Sequence, residues 1–383
     1  MSMNSRFIPH SGASQLPESL LVHPEVNADL DAKPVQVRFP VRVRNTLEDK
    51  RLIISRTPLR ISFAGGGSDL PAFYRNEPGA VLSTAINKYI YITVNKKFDN
   101  KIRASYSVTE IVDSVDDLKH ELIRESLRLV IPPCGIEITS ISDIPSSGTG
   151  LGSSSTYTVG LLNSLYAHVG QSVGAERLAR ESCEIEIERC GKPIGKQDQY
   201  IAAYGGLQYI RFNPDESVFV DPVICTPETK QRLQNSLVML YTGLTRSADN
   251  ILREQSENTV NERANRRTLR RMARLAGELR DALTVNDLDG FGEVLHEGWM
   301  EKKKLASGIT NPEIDEWYEI ARRNGAIGGK LLGAGGGGFL LLYAHPERFP
   351  DILRSLPYLL PIPVHMEPQG SKIIYVEESG MCE

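Results

Sequence analysis

The stretch Asp143-Ile-Pro-Ser-Ser-Gly-Thr-Gly-Leu-Gly-Ser-Ser-Ser155 decides the fold, because its glycines alternate directly before a helical pattern. These glycines are Gly148, Gly150 and Gly152, and serines follow them. Glycines at that spacing favour a nest of backbone N–H groups, to which the positive end of a helix dipole adds. A triphosphate is the natural occupant of such a nest. The stretch therefore predicts a nucleotide-dependent enzyme.

The flanking segments have the order that a phosphate-binding loop requires. Residues 135–141 alternate apolar and polar and predict a strand, while apolar residues over 157–169 recur at helical spacing. No lysine follows Gly152, as a Walker A loop requires, and the glycine spacing is wrong for a dinucleotide fingerprint. A flexible surface linker is the other interpretation, but linkers rarely separate a strand from a helix.

Length, charge and cysteine content exclude several classes of protein. The 383 residues allow two domains, and 44 basic against 48 acidic residues create no strong field for nucleic acid or an acidic membrane. The five cysteines form no Cys-x-x-Cys pair, and their odd number does not suggest a disulfide framework. No apolar run approaches the roughly 20 residues of a membrane span, and the N-terminus lacks a signal-peptide pattern. A cytoplasmic protein with no membrane or nucleic-acid partner is expected.

The distribution of periodic and turn-rich segments divides the chain into an N-terminal extension and two lobes. Residues 1–48 show no clear period and are expected to form a partly irregular extension. A turn-rich patch at 213–217 marks the boundary between an N-terminal domain, 49–215, and a C-terminal domain, 216–383. Helical patterns cover 116–130, 175–190, 258–284, 287–306 and 312–324, and strand patterns occur over 86–98 and within 228–244.

Two further glycine-rich motifs lie on either side of the glycine loop 143–155 in the sequence. The first is Arg56-Thr-Pro-Leu-Arg-Ile-Ser-Phe-Ala-Gly-Gly-Gly-Ser-Asp-Leu-Pro71, in which a strand carrying Arg60 runs into a turn. Its glycines, serine and aspartate suit close approach to sugar hydroxyls, but also an ordinary hairpin. The second is Gly328-Gly-Lys-Leu-Leu-Gly-Ala-Gly-Gly-Gly-Gly-Phe339, which predicts either tight backbone packing or ligand approach.

An acidic run, Glu184-Ile-Glu-Ile-Glu188, precedes a turn that presents Asp198. Phosphoryl transfer uses a carboxylate to hold Mg²⁺ and often a second one to orient or deprotonate the nucleophile. Asp198 is the candidate for the second role. Glu184 and Glu186 are explained most simply as the solvated face of a helix.

Taken in order, the three glycine motifs resemble those of the GHMP kinases, which include galactokinase, homoserine kinase and mevalonate kinase. The resemblance covers about 52–380, and the first motif with Gly195-Lys-Gln-Asp-Gln-Tyr200 looks most like the D-glycero-D-manno-heptose 7-phosphate kinase branch. It implies an α+β, two-lobed GHMP kinase fold with a ribosomal-S5-like N-terminal lobe and a ferredoxin-like C-terminal lobe. It also implies ATP and Mg²⁺, and a sugar phosphate that is phosphorylated on its anomeric hydroxyl on the way to GDP-heptose.

The resemblance also assigns roles to individual residues. Asp198 is the expected catalytic base, and Arg60 is its expected neighbour, where a guanidinium favours an ionised carboxylate. Ser154 and Glu188 are expected at the metal. The triphosphate is expected on Pro145, Ser147, Gly148, Thr149, Gly150, Leu151, Gly152, Ser153, Ser154 and Ser155. The substrate is expected on Gly67, Ser68, Asp69, Lys196, Arg246 and Gly335.

Recognition of a phosphate on the substrate needs a basic residue. The candidates are Lys196, Arg246 and the lysine run 302–304, although that run also suits a solvated helix end.

The adenine pocket is placed near 98–115. The sequence does not decide between a monomer and a homodimer.

Other functions remain open at this point. A kinase of another sugar, such as fucose or an unphosphorylated heptose, fits the same motifs, whereas the absence of Gly-Glu-His from the first motif argues against galactose. A GHMP-like regulator that binds without catalysis is disfavoured by the intact Glu188 and Asp198. A dehydrogenase is disfavoured because no acidic residue follows the glycine loop at the right strand end.

Overall fold

A computed structural model of the protein describes residues 52–132, 135–145, 148–244 and 248–377. These residues belong to one compact unit, Asp49–Glu383. The predicted extension 1–48 and two predicted site residues, Ser147 and Arg246, lie outside the described residues.

The larger sheet is built around two long neighbouring strands, β1 and β2. Its eight strands are β1 (Ile53–Ala64), β2 (Gly79–Lys96), β3 (Ile102–Ser105), β4 (Thr109–Val112), β5 (Ile136–Ser142), β6 (Leu207–Phe212), β7 (Val218–Pro222) and β12 (Lys372–Val376). The order is β12-β1-β2-β5-β3-β4, and every pair is antiparallel except β3 with β5. The start of β2 pairs with β6 and its end with β5, so one strand spans two parts of the sheet.

The smaller sheet lies wholly in the second half of the chain. Its strands are β8 (Leu237–Tyr241), β9 (Ala326–Leu331), β10 (Phe339–Ala344) and β11 (Leu360–Ile362), all antiparallel in the order β11-β8-β10-β9. Every residue of β10 is buried, as expected for the apolar run Phe-Leu-Leu-Leu-Tyr-Ala in an inner strand.

Helices pack on both sheets. They are α1 (Pro71–Tyr74), α2 (Glu121–Val130), α3 (Ser153–His168), α4 (Ala175–Cys183), α5 (Gln197–Tyr204), α6 (Pro227–Asn235), α7 (Ala248–Asn261), α8 (Arg263–Thr284), α9 (Leu288–Lys302), α10 (Pro312–Arg323) and α11 (Phe349–Ser355). The predicted single helix 258–284 is in fact two, because Glu262 takes an extended conformation between α7 and α8. The predicted helix 175–190 continues past α4 as a π-helical turn, Glu184–Arg189.

Helix α3 is held closely against β1. A Cβ on Gly160 would lie only 2.7 Å from Thr57 Oγ1, and Ser55 Oγ donates to the Gly160 carbonyl at 3.0 Å. Thr156 Oγ1 donates to the carbonyl of Pro58 at 3.2 Å. These contacts fix the N-terminus of α3 beside the end of β1.

The C-terminal part of the chain returns to the first sheet. β12 pairs with β1, and Ser371, just before β12, bonds to Thr57 Oγ1 at 2.8 Å and accepts from Asn163 Nδ2 at 3.0 Å. The predicted lobe boundary at 215/216 falls in the turn between β6 and β7, which still pair with each other. The first sheet therefore extends to Pro222 and also includes a strand from the far end of the chain.

Candidate active site

A cleft of about 630 Å³ collects most of the predicted site residues. Its walls come from the turn after β1, the loop before α3, the start of α5, α7, the end of α9 and the loop between β9 and β10. The predicted residues that line it are Arg60, Gly67, Asp69, Gly148, Thr149, Gly150, Gly152, Ser153, Ser154, Ser155, Asp198 and Gly335. Motifs that are far apart in the sequence thus meet at one place.

The loop before α3 has the backbone geometry of an anion nest. Gly148, Gly150 and Gly152 have φ values of 72°, 76° and 78°, so left-handed residues alternate along the loop and neighbouring N–H groups can converge. Helix α3 begins directly afterwards at Ser153 and is 16 residues long. The free N–H groups and dipole of its first turn add to the nest, which supports triphosphate binding here.

Leu151 occupies the nest only through its backbone. Its side chain is fully buried away from the cleft, and its carbonyl accepts a hydrogen bond from the Arg60 backbone N–H at 3.1 Å. Pro145, also predicted in this group, is exposed and lines a neighbouring cavity rather than the main cleft.

The third glycine motif packs against the nest. A Cβ on Gly150 would lie 2.4 Å from the Leu332 carbonyl oxygen, and one on Gly333 would lie 2.3 Å from Gly150 Cα. A Cβ on Gly338 would lie 2.4 Å from the Thr149 carbonyl oxygen. The two loops therefore touch through their backbones, and tight packing explains most of the glycines that the sequence left open.

The predicted base and its arginine form a bidentate pair beside the nest. Arg60 Nε and Nη2 donate to the two carboxylate oxygens of Asp198 at 2.7 and 2.6 Å, and Nη1 donates to the Gly150 carbonyl at 2.5 Å. A Cβ on Gly152 would lie 3.1 Å from Asp198 Oδ2. Arg60 is buried, but the Asp198 side chain keeps 22% of its surface exposed. The carboxylate is thus held in place at the nest and remains accessible.

The carboxylate beside Ser154 is Glu186, which corrects the prediction of Glu188. Ser154 Oγ donates to Glu186 Oε1 at 2.5 Å, and Gln199 Nε2 donates to Oε2 at 2.6 Å. Glu186 is fully buried, whereas Glu188 is exposed. The interpretation of Glu186 as part of a solvated helix face is therefore wrong.

The sequence contained a signal for Glu186. Leu178, Ser182 and Glu186 follow one another at a spacing of four and are all buried, so they share the inner face of α4 and its continuation. Glu188 is two positions further and lies about half a turn away. The role that the resemblance assigned to Glu188 did not take this periodicity into account.

Ser154 and Glu186 fit a magnesium site that also uses ligand oxygens. No group of three or more His, Cys, Asp or Glu side chains suited to a metal occurs among the described residues. Mg²⁺ is usually held by one or two carboxylates together with substrate phosphates. Burial raises the pKa of Glu186 to about 7, against the effect of hydrogen bonds from Ser154, Ser155 and Gln199. A cation beside this carboxylate would favour its ionised form.

Asp69 lines the wall of the cleft formed by the turn after β1. Its Oδ1 accepts from the Gly67 N–H at 2.8 Å and its Oδ2 from the Gln197 N–H at 3.2 Å. Burial raises the pKa of Asp69, partly offset by these backbone hydrogen bonds. The residue is therefore a fixed, buried hydrogen-bonding group facing the cleft.

Ser68 does not line the cleft, contrary to its predicted role with sugar hydroxyls. It is fully buried, and its Oγ donates to the carbonyls of Gly65 at 2.8 Å and Ala80 at 3.0 Å. The hydroxyl braces the turn after β1 against β2. Its contribution is to hold Gly67 and Asp69 in position.

Lys196 is also turned away from the cleft, which corrects its assignment to the substrate. Its ammonium donates to the carboxylate of Glu216 and lies 4.6 Å from the centre of the Tyr74 ring. Although Lys196 lies only two residues before Asp198, its side chain stabilises the β6–β7 turn.

The lysine run 302–304 divides into one cleft residue and two surface residues. Lys302 is buried and lines the cleft, so the interpretation as a solvated helix end is wrong for it. Lys303 pairs with Asp315, and Lys304 pairs with Glu301. Two other cleft residues were not among the predicted site residues: Lys330, which lies within the third glycine motif, and Gln255.

A second cavity, of about 710 Å³, adjoins the nest. It shares Ser153 and Ser154 with the main cleft, and Tyr106, His120 and Tyr157 line it. The rings of Tyr106 and His120 are 4.5 Å apart, and those of His120 and Tyr157 are 5.4 Å apart. Flat aromatic walls next to a phosphate nest suit a nucleotide base. Of the predicted adenine region 98–115, Tyr106 and Ser107 lie here, whereas Phe98 is fully exposed.

Among the helices that the structure describes, none has the length and apolar character to cross a membrane.

Two protein-family models match the chain. The model described as GHMP kinases N terminal domain covers residues 114–206, and the one described as GHMP kinases C terminal covers residues 279–361. The first includes the nest, Glu186 and Asp198, and the second includes α9 and the third glycine motif. The matched regions thus include the nest, Asp198 and Lys302, whereas the turn after β1 and α7, which also line the cleft, lie outside them.

Individual proteins are similar over most of the chain. It is 29% identical over 318 residues to a D-glycero-alpha-D-manno-heptose 7-phosphate kinase of Campylobacter jejuni, covering 80% of this chain and 93% of that protein. It is 25% identical over 316 residues to a bifunctional fucokinase/GDP-fucose pyrophosphorylase of Arabidopsis thaliana, covering 75% of this chain and 29% of that protein.

A solved structure has the same architecture. The D-glycero-D-manno-heptose 1-phosphate kinase from Bacteroides thetaiotaomicron superposes with a TM-score of 0.70 at 25% identity, covering 85% of this chain and 100% of that one. The α+β, two-lobed fold that the sequence predicted is confirmed, and so is the family resemblance.

Proposed function

The chain belongs to the GHMP kinases and is a phosphotransferase with an alcohol group as acceptor, and we propose that its acceptor is the anomeric hydroxyl of D-glycero-D-manno-heptose 7-phosphate. The γ-phosphoryl group of ATP is transferred, and the product is the 1,7-bisphosphate. Such a product suits the synthesis of GDP-heptose for surface glycans, in the cytoplasm.

The observation that carries this proposal is the position of the Arg60–Asp198 pair. The pair connects the phosphate nest, through the Gly150 carbonyl, to a carboxylate that remains accessible in the cleft. A hydroxyl bound next to Asp198 is therefore close to the end of a triphosphate bound in the nest. Phosphoryl transfer depends mainly on such positioning and on stabilisation of charge.

Asp198 would accept the proton of the attacking hydroxyl. An anomeric hydroxyl is more acidic than an ordinary alcohol, so a carboxylate base is adequate. The bidentate hydrogen bonds from Arg60 fix the orientation of the carboxylate, and the guanidinium stabilises negative charge that develops beside it.

ATP would bind across the two adjoining cavities. Its triphosphate would lie on the nest and the N-terminus of α3, and its base in the cavity of Tyr106, His120 and Tyr157. Ser153 and Ser154, which line both cavities, would lie where the two parts of the nucleotide join.

Ser154 and Glu186 are the residues that would hold Mg²⁺ together with phosphate oxygens. When bound, the ion would neutralise negative charge on the phosphates during transfer. Gln199 orients the Glu186 carboxylate through its hydrogen bond to Oε2. This chain thus supplies a small, buried ligand pair rather than a complete metal cage.

The choice of heptose 7-phosphate is supported by the similar enzyme of Campylobacter jejuni. It is also supported by two buried lysines that line the cleft, Lys302 and Lys330. Fucose is the second candidate, because a fucokinase is also similar over three quarters of the chain. The buried lysines favour an acceptor that carries negative charge.

The test is an ADP-release assay with ATP, Mg²⁺ and a panel of acceptors: heptose 7-phosphate, unphosphorylated heptose, fucose and galactose. We expect the highest kcat/KM with heptose 7-phosphate, and ³¹P NMR should show a new phosphate on the anomeric carbon. A higher kcat/KM with fucose or unphosphorylated heptose would replace the proposed acceptor. Absence of ADP release with every sugar, despite nucleotide binding, would indicate a binding protein.

A further inference from the structure

Two lysine side chains are buried in the cleft without an ion-paired carboxylate. Lys302 and Lys330 are 5% and 3% exposed, and both line the cleft. Within the described parts of the chain, neither has a carboxylate at ion-pair distance, because their only hydrogen-bond acceptors are backbone carbonyls. A buried charge without a partner is costly. The arrangement therefore favours an anionic ligand next to them.

Lys302 is the lysine with donors to spare. An ammonium has three N–H donors, and Lys302 directs one to the Gly333 carbonyl. Lys330 uses two, on the carbonyls of Ser62 at 2.8 Å and Phe63 at 3.1 Å. Lys302 can therefore donate twice to a ligand, whereas Lys330 mainly ties β9 to β1.

Gln255 provides a neutral donor on the same wall. It is 2% exposed, lines the cleft, and its Nε2 has no hydrogen-bond partner among the described residues. That nitrogen lies 2.2 Å from the position that a Cβ on Gly67 would occupy. The missing side chain at Gly67 thus leaves room for the amide, and a buried unpaired N–H group calls for an oxygen acceptor.

The donors lie between the reaction centre and the turn after β1. Gly333 packs on Gly150 of the nest, while Gly67 donates to Asp69. Burial lowers the pKa of Lys302 to about 8, and the nearby charges of Arg60, Asp69 and Asp198 also act on it. Lys302 is therefore within electrostatic reach of both Asp198 and Asp69.

We propose that Lys302, assisted by Gln255, binds the phosphate group that the acceptor already carries. The inference rests on the proposed kinase function and identifies the residues that select a sugar phosphate over a neutral sugar. The nest and the α3 N-terminus would take the phosphates of the nucleotide, so an anion bound at Lys302 would belong to the acceptor. A neutral sugar would satisfy the amide of Gln255 but would leave the ammonium of Lys302 without an ion-pair partner.

The experiment compares acceptors in pairs, each sugar with and without its terminal phosphate, for wild type and Lys302→Met. The variant keeps the length of the side chain and removes the charge. The matched control is Lys303→Met, since Lys303 is adjacent, pairs with Asp315 at 3.2 Å and does not line the cleft. Loss of a charged hydrogen bond predicts that Lys302→Met raises KM for the phosphorylated acceptor by about tenfold or more. KM for ATP should change by less than about threefold. The ratio of kcat/KM for the phosphorylated acceptor to kcat/KM for its unphosphorylated partner should fall about tenfold.

The outcomes separate this inference from the proposed function. If another sugar phosphate is preferred to heptose 7-phosphate, and Lys302→Met abolishes the preference for that sugar phosphate over its unphosphorylated form, the subsite is right and the proposed acceptor is wrong. If the variant lowers kcat equally for both members of a pair, or raises KM for ATP, Lys302 serves the transferred group or the nucleotide, and the proposal is overturned.

A second variant covers the case in which Lys302→Met does not fold. Gln255→Met should raise KM for the phosphorylated acceptor by about threefold or more, as expected for a neutral hydrogen bond. Circular dichroism and the melting temperature establish that the variant is folded. An unchanged KM in folded Gln255→Met would contradict the proposal.

Discussion

The side of the cleft proposed for the nucleotide and the side proposed for the acceptor are built in different ways. The nest is one continuous stretch of backbone, 148–152, with α3 directly behind it. The acceptor wall consists of side chains from four separate places: Asp69 after β1, Gln255 on α7, Lys302 at the end of α9 and Lys330 in β9. A site made of contiguous backbone is encoded locally, whereas a site made of scattered side chains exists only after the chain has folded.

The strongest test of this comparison is at Asp198, where the two sides meet. Asp198→Asn keeps the shape but removes the base, so kcat should fall at least about 100-fold, as expected for loss of general-base catalysis. KM for ATP should change little, because the nest is intact. Steady-state kinetics measures both, and Glu188→Gln is the control on an exposed acid. Near-native turnover of Asp198→Asn would remove this carboxylate from the mechanism.

The backbone side is tested by adding one methyl group to the nest. Gly150→Ala forces an L-residue to φ 76° and places its Cβ 2.4 Å from the Leu332 carbonyl oxygen. The loop must shift, so we expect KM for ATP to rise about tenfold or more, equivalent to about 1.4 kcal/mol of binding free energy.

The matched control for the nest is Gly170→Ala. Gly170 also has φ 76°, but nothing lies within 4 Å of the position that a Cβ on it would occupy. In Gly170→Ala, the left-handed conformation alone should lower the free energy of unfolding by about 1 kcal/mol. KM for ATP should be unchanged. Equal KM values for the two variants would show that the nest does not bind the nucleotide.

The metal pair is tested with Glu186→Gln against Glu188→Gln. Removing a carboxylate ligand should raise the Mg²⁺ concentration for half-maximal activity about tenfold in Glu186→Gln. The same change at the exposed Glu188 should have no effect. Magnesium titrations at saturating ATP decide between them, and a shift in Glu188→Gln alone would restore the original prediction from the sequence.

The smallest expected effect is the pH dependence of the acceptor wall. Lys302 faces Arg60, Lys330, Asp69 and Asp198, and burial lowers its pKa to about 8. The ammonium is charged below that pH and loses its proton above it, so binding of an acceptor phosphate should weaken as pH rises. KM for the acceptor should increase about threefold between pH 7.5 and 8.5 through this group. The increase should be absent in Lys302→Met, and an unchanged increase would assign it to another residue.

The sequence predicted the site well where one element or one contiguous loop supplies the chemistry. The strand, loop and helix around Gly150 are found in the structure as predicted. The pairing of Arg60 with Asp198, on separate elements, was predicted through the family resemblance and is also found. The resemblance failed for Glu188, because burial on α4 and its π-helical continuation selects Glu186 instead.

The sequence did not predict which side chains face the cleft. Ser68 and Lys196 lie next to cleft residues in the sequence, but neighbouring carbonyls and Glu216 satisfy their polar groups elsewhere. Lys302 lies in a basic run whose other members face solvent, so composition alone could not single it out. Such choices depend on tertiary packing, which local sequence patterns do not record.

The return of β12 to β1 has a consequence for how the enzyme matures. The strand that carries Arg60 gains its outer neighbour only when residues 372–376 have been synthesised, more than 300 residues after β1 itself. Until then, that edge of β1 has no partner among the described strands and is open to pairing with other chains. Arg60 should therefore reach its final position only after β12 has been added, and a fragment that stops after the second sheet should aggregate instead of binding nucleotide.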